Sequence, residues 1–179
     1  MEDNVSFAEL MLAFAEIRQM NKETAELAKE NSQMIGRLGN KFGSFAEGMA
    51  LPSMQRILEE EFGMTHTQPR YRVKKNGLLV QEIDMLAHAN GSVNTAIVVE
   101  IKSDLKGKDV EQVLSIMGKF YDLFPEHKGK KLYGIIAYID ASEEGINRAL
   151  KAGFYLASIH DELFEIKVPV GFVPKDFSK

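Results

Sequence analysis

Apolar residues recur at alternating intervals of three and four along the first part of the chain: Phe7, Leu10, Phe14, Ile17, then Asn21, Thr24, Ala28, Asn31, then Ile35 and Leu38. This is the spacing of a coiled-coil seam, and it predicts one long, otherwise polar helix over residues 5–38. Asn21, Thr24 and Asn31 place polar groups in the seam, which lowers stability and can fix register or oligomer state. At about 1.5 Å per residue such a helix extends roughly 50 Å, longer than a small domain is wide. Its apolar stripe can be met by a second copy or by folding back on its own domain, and the unbroken 3-4 spacing favours self-association. Gly36 and Gly39 are expected to loosen the chain before a second segment begins.

The rest of the chain alternates between helical and strand periods. A helix is expected from about Lys41 to Phe62, broken near Pro52, which cannot donate an interior hydrogen bond, and stopped by Gly63. Arg70 to Lys75 reads as a short basic strand, and Asn76-Gly77 as a hairpin turn into a strand that starts at Leu78. Asn90-Gly91 marks a second turn, into a strand from Ala96. Val110, Val113, Leu114, Met117, Phe120, Tyr121 and Phe124 keep helical spacing. Leu132 to Ile139 is continuously apolar, as in a central strand. A helix from Ala141 to Ala152 ends at Gly153. Phe154 to Ile159 is a last core strand, with Leu163 to Val168 pairing at an edge and His160-Asp161-Glu162 as the turn between them. The chain therefore divides into an N-terminal helix, 1–38, and an α/β domain, 39–179.

Two of these strands carry charges that a buried strand should not hold. In Leu78-Leu79-Val80-Gln81-Glu82-Ile83-Asp84-Met85-Leu86-Ala87 the apolar run is interrupted at Asp84. In Ala96-Ile97-Val98-Val99-Glu100-Ile101-Lys102 it is interrupted by Glu100 and Lys102. Side chains alternate along a strand, so Glu100 and Lys102 share one face and Ile101 points to the other. A charge among buried apolar groups is costly unless it is paired or binds a metal. One site holding a divalent cation would account for all three.

An Asp on one strand followed by Glu-x-Lys on the next resembles the PD-(D/E)xK nuclease superfamily, with its restriction-endonuclease-like fold. The resemblance runs from about Phe42 to Ile159. Where the family often has Pro before the Asp, this chain has Ile83. The resemblance implies a central mixed sheet flanked by helices in the order α-β-β-β-α-β. It implies that Asp84, Glu100 and the Ile101 backbone carbonyl bind Mg²⁺, for which Mn²⁺ could substitute. It implies that Lys102 orients or deprotonates the attacking water. A Glu from the preceding helix usually joins the site, through a water or a second ion. Glu47, the lone charge between Phe42 and Gln55, is placed to be it. Gln112 on the following helix would position Lys102 or a phosphate. Glu82 shares strand parity with Asp84, although a solvated position suits it better.

Composition adjusts this reading at a few points. The absence of cysteine removes disulfides and thiolate metal sites and fits a cytoplasmic location. The acidic start Met1-Glu2-Asp3 lacks a signal-peptide pattern, and no apolar run approaches the ~20 residues that span a bilayer. A net charge of −4 argues against a protein that coats nucleic acid but not against a local basic patch. Such a patch could comprise Arg70, Arg72, Lys74 and Lys75 before Asp84, and Lys106 and Lys108 after Glu-x-Lys. Lys128, Lys130 and Lys131 read as a simple loop run. The histidines His66, His88, His127 and His160 lack metal-ligand spacing. The expected function is a metal-dependent nuclease acting on nucleic acid, DNA foremost, and assembled as a dimer or tetramer through residues 5–38. The alternative is a nuclease-fold interaction protein with little or no turnover, whose coiled coil carries the function.

Overall fold

The computed structural model describes residues 7–160 and 163–179. The first two residues of the expected 5–38 helix, and Asp161 and Glu162 of the expected turn, lie outside the described residues. Helix α1 spans Phe7–Glu60 without a break. The expected loosening at Gly36 and Gly39 and the expected break at Pro52 do not occur. Gly48 and Pro52 are both exposed, so water can serve the Gly48 carbonyl that loses its helical donor. The chain divides into two compact units between Phe42 and Gly43.

The second unit is built on a six-stranded sheet in sequential order. β1 (His66–Lys75) and β2 (Leu78–Ala89) form a hairpin, and β3 (Thr95–Leu105) continues it antiparallel. Asn76 and Gly77 both have positive φ, 51° and 79°, the turn geometry that joins two strands in register with their twist. Helix α2 (Gly107–Leu123) and a 3-10 turn at Pro125–His127 lead to β4 (Lys131–Ala141), parallel to β3. Helix α3 (Glu143–Ala152) crosses to β5 (Tyr155–His160), parallel to β4, and β6 (Leu163–Ile166) closes the edge antiparallel. Ser142 caps α3 by accepting the Gly145 N–H at 3.1 Å, and Gly153, at φ 88°, ends it.

Apolar side chains fill both faces of the sheet. Ala46, Ala50, Met54, Ile57 and Leu58 of α1 pack with Met85, Ala87, Ile97, Val99 and Ile135 on one face. α2 and α3 cover the other, with Val113, Phe120 and Ala149 against Leu86, Val98, Leu132 and Ile136. Two parallel crossovers of the same hand in a sequentially ordered sheet put both helices on one side. The expected burial of Ile97 to Ile101 on both faces holds. The expected burial of Leu78, Leu79 and Val80 does not. They are 74%, 53% and 47% exposed. β2 pairs with β3 only from Met85 to Ala89, so its first half has β1 as its sole partner strand. Among the described residues, no helix is long and apolar enough to cross a membrane.

Candidate functional site

Asp84 sits where both ladders of β2 are interrupted. On the β3 side the regular pairs stop at Met85↔Val99. On the β1 side they pass from Pro69↔Met85 to Tyr71↔Ile83, with Arg70 between them at φ 51°. Side-chain alternation breaks here as well. Ile83 and Leu86, three residues apart, both face α2, while Met85 faces α1. Parity counting along β2 therefore fails at the residue that matters. Asp84 Oδ2 accepts the backbone N–H of Ile101 at 2.7 Å, so a carboxylate occupies the place of a ladder carbonyl.

Glu100 follows one residue beyond the last β2–β3 pair and is buried. Its Oε2 is 3.5 Å from Lys102 Nζ, and its Oε1 is buried without a hydrogen-bond partner. Burial pushes the Glu100 carboxyl up to about 7, the nearby Asp84 charge adds to that, and Lys102 opposes it. Burial also raises Asp84, against the hydrogen bond from Ile101. Glu47 contributes a further negative charge from α1 and is held by Arg70 at 3.4 Å. Glu100, Lys102 and Gln112 line a groove of about 360 Å³ between β2, β3 and α2.

Glu82 also lines this groove and is bound by Arg72 at 3.0 Å, so it is an ion-paired neighbour of the site rather than a merely solvated charge. The expected basic residues separate into two groups. Arg70, Arg72 and Lys106 are matched by Glu47, Glu82 and Asp104, the last at 2.7 Å. Among the described residues, Lys74, Lys75 and Lys108 have no such ion pair.

One expectation about an isolated residue is corrected. Lys130 is not a solvated loop charge. It is buried, and its Nζ donates to the Ala89 carbonyl and to the side chains of Asn90 and Asn94. Three of the four histidines are brought together by the fold. His66 and His88 stack at 4.5 Å between ring centroids, and His127 lies 4.8 Å from His88. With Tyr71, Glu126 and Lys130 they line a cleft of about 660 Å³ between the hairpin and the end of α2. His66 and His88 are register partners, one residue off the count from the Asn76-Gly77 turn. Among the described residues, no three His, Asp or Glu side chains are grouped to enclose a metal by themselves, here or at Asp84. Beside Asp84, the buried Glu100 Oε1 without a hydrogen-bond partner is the kind of oxygen that a cation could bind.

No family model and no curated protein matches the chain. Two solved structures resemble it in part. The EndoMS–dsDNA2 complex aligns over 63% of this chain and 45% of its own at 16% identity, with a TM-score of 0.39. A repair endonuclease from Pyrococcus abyssi aligns over 62% of this chain and 47% of its own at 19% identity, with a TM-score of 0.37. The chain thus spans less than half the length of either, and both are likenesses of chain path over part of the molecule.

Proposed function

We propose that this protein is a metal-dependent nuclease that hydrolyses nucleic-acid phosphodiester bonds, DNA foremost. The reading rests chiefly on one observation: Glu100 is buried beside Asp84 with one oxygen against Lys102 and the other without a partner. A buried carboxylate in that state is costly unless it binds a cation or keeps its proton. Asp84, Glu100 and the Ile101 carbonyl would hold Mg²⁺, an ion suited to oxygen ligands and to retaining several waters. When bound, the ion supplies charge neutralisation at the phosphate and activates water as a nucleophile.

The chain's own groups have distinct parts in this reading. The Ile101 N–H fixes Asp84 Oδ2, and Oδ1 would be the oxygen offered to a metal. Lys102 Nζ, on the strand face of Glu100, orients the nucleophile and takes or returns its proton at the mouth of the groove. Glu47, steadied by Arg70, adds charge from α1. Gln112 reaches the same groove from α2 and positions Lys102 or a phosphate oxygen. Lys74, Lys75 and Lys108 supply cations for the phosphate backbone.

The test is a cleavage assay on a panel of duplex, branched and single-stranded DNA and RNA with Mg²⁺ or Mn²⁺, run beside Lys102→Ala. Cleavage by the wild type, with loss of at least about a hundredfold in the variant, is expected for a group that transfers a proton. Absence of wild-type cleavage across the panel would leave an interaction protein on a nuclease-like frame. Equal cleavage by both proteins would remove Lys102 from the chemistry.

A further inference from the structure

The apolar seam of α1 is longer than its sequence context led us to expect. Because the helix does not stop at Gly36 or Gly39, Phe42 and Phe45 take the next two positions of the 3-4 spacing. Both are exposed, at 48% and 58%. The complete seam runs from Phe7 to Phe45 and is symmetric about Glu26. Counting inward from its ends, Phe7 matches Phe45 and Leu10 matches Phe42. Phe14 matches Leu38 and Ile17 matches Ile35. At the middle Asn21 matches Asn31, and Thr24 matches Ala28.

We propose that α1 pairs with α1 of a second copy in antiparallel orientation, with the two-fold axis at Glu26. Each apolar layer then meets an apolar layer. Asn21 meets Asn31 of the partner subunit, where two amides can satisfy each other. A slip by one heptad would set Asn31 against the partner's Phe14 or Asn21 against the partner's Leu38, so the polar layers fix the register.

Any parallel pair also matches each layer with itself, but two features distinguish the antiparallel one. The first is a flank of exposed apolar residues beside the seam, Met20, Leu27 and Met34, repeating every seven positions. In an antiparallel pair this flank faces the same flank of the partner. Leu27 meets its own counterpart, and Met20 meets the partner's Met34. In a parallel pair it would face the opposite flank, where Ala25, Ser32 and Gly39 are too small to cover it. The second feature is charge. Residues 7–17 carry Glu9 and Glu16 and no basic residue, whereas residues 35–45 carry Arg37 and Lys41 and no acidic one. Antiparallel pairing sets acidic end against basic end at both ends of the interface. Parallel pairing sets like against like.

The chain contains no cysteine, so single-cysteine variants of the full-length protein report proximity without background. Under mild oxidation Leu27→Cys should form a disulfide-linked dimer in high yield. Asn21→Cys should not cross-link to itself, but it should do so to a differently tagged Asn31→Cys chain. Sedimentation of the wild type should give a dimer or an even multiple of one. Self-cross-linking of Asn21→Cys would establish the parallel pair and overturn the proposal. A wild-type monomer at micromolar concentration, or no cross-link by Leu27→Cys in a protein that sediments as a dimer, would overturn it equally.

Discussion

Asp84 and Ile101 are joined by a single hydrogen bond, 2.7 Å from the backbone N–H of Ile101 to Asp84 Oδ2, at the point where β2 parts from β3. The bond has two parts to play. It satisfies a strand N–H that has lost its ladder partner, and it holds one carboxylate oxygen of the candidate metal site in place.

Substitutions at Asp84 should therefore separate fold from chemistry. Asp84→Asn keeps an oxygen for the Ile101 N–H and should unfold in denaturant within about 1 kcal/mol of the wild type, while Mn²⁺ binding by calorimetry is lost. Asp84→Ala leaves the N–H without that acceptor and should cost about 1–3 kcal/mol. Mn²⁺ affinity in Asp84→Asn equal to that of the wild type would remove Asp84 from the metal set.

If Glu100 binds the proposed cation, metal binding and stability should depend on pH together. Its folded-state carboxyl is pushed up to about 7 from an ordinary 4.5. Between those values the folded protein retains a proton that the unfolded chain has released, so metal-free stability falls as pH rises through the window. A cation must displace that proton. The thermal upshift produced by Mn²⁺ should be larger at pH 8 than at pH 5.5, with proton release on binding near pH 6. Glu100→Gln should flatten the metal-free profile, and an unchanged profile in that variant would assign the dependence to another group.

The basic residues should differ in their contribution to nucleic-acid binding. Lys74, Lys75 and Lys108 lack the carboxylate partners that Arg70, Arg72 and Lys106 have among the described residues. Replacing one of the three lysines by alanine should lower the slope of log affinity against log salt by about one if it contacts a phosphate. Arg72→Ala should change that slope less, because the guanidinium is already neutralised by Glu82. Titrations of a labelled duplex at several salt concentrations would measure both. Equal slopes for all variants would place the nucleic-acid path elsewhere.

The histidine stack should make the protein sensitive to acid independently of the metal site. Burial lowers the His127 and His88 imidazoles below 6.5, and at His88 the neighbouring rings and Lys130 add to the effect. The unfolded chain then binds more protons than the folded one just below pH 6.5, so the stability that neutral imidazoles contribute is lost as pH falls through that range. His127→Phe, placed on the rings of Phe120 and Phe124, should retain more of its stability at pH 5 than the wild type does. Parallel acid profiles for the two proteins would count against this origin.

Much of this architecture could be read along the chain. The helices over 107–123 and 143–152, the hairpin at Asn76-Gly77 and the parallel central strand follow from periodicity and turn chemistry, which are local signals. Asp84, Glu100 and Lys102 could be picked out because charge inside an apolar run is conspicuous. What was not legible depended on contacts distant in sequence. Gly36, Gly39 and Pro52 are breakers by propensity, yet the helix carries through all three. Lys130 gave no sign of burial, because its partners lie some forty residues earlier. The His66↔His88 pair lies one residue off a strict count from the hairpin turn, because a bulge at Val73/Lys74 shifts the register.

The first half of β2 has further importance for how the site behaves. From Leu78 to Ile83 it is hydrogen-bonded to β1 alone, and a ribbon of two strands is only marginally stable on its own. Its amide hydrogens should exchange with solvent far faster than those of Met85 to Ala89, which are held on both sides. Asp84 marks the border between the compliant part and the rigid part. Asp84 and Glu100 therefore lie at the edge of the part of the sheet held on both sides, whereas Glu82, which lines the groove, and Lys74 and Lys75 lie on the compliant ribbon.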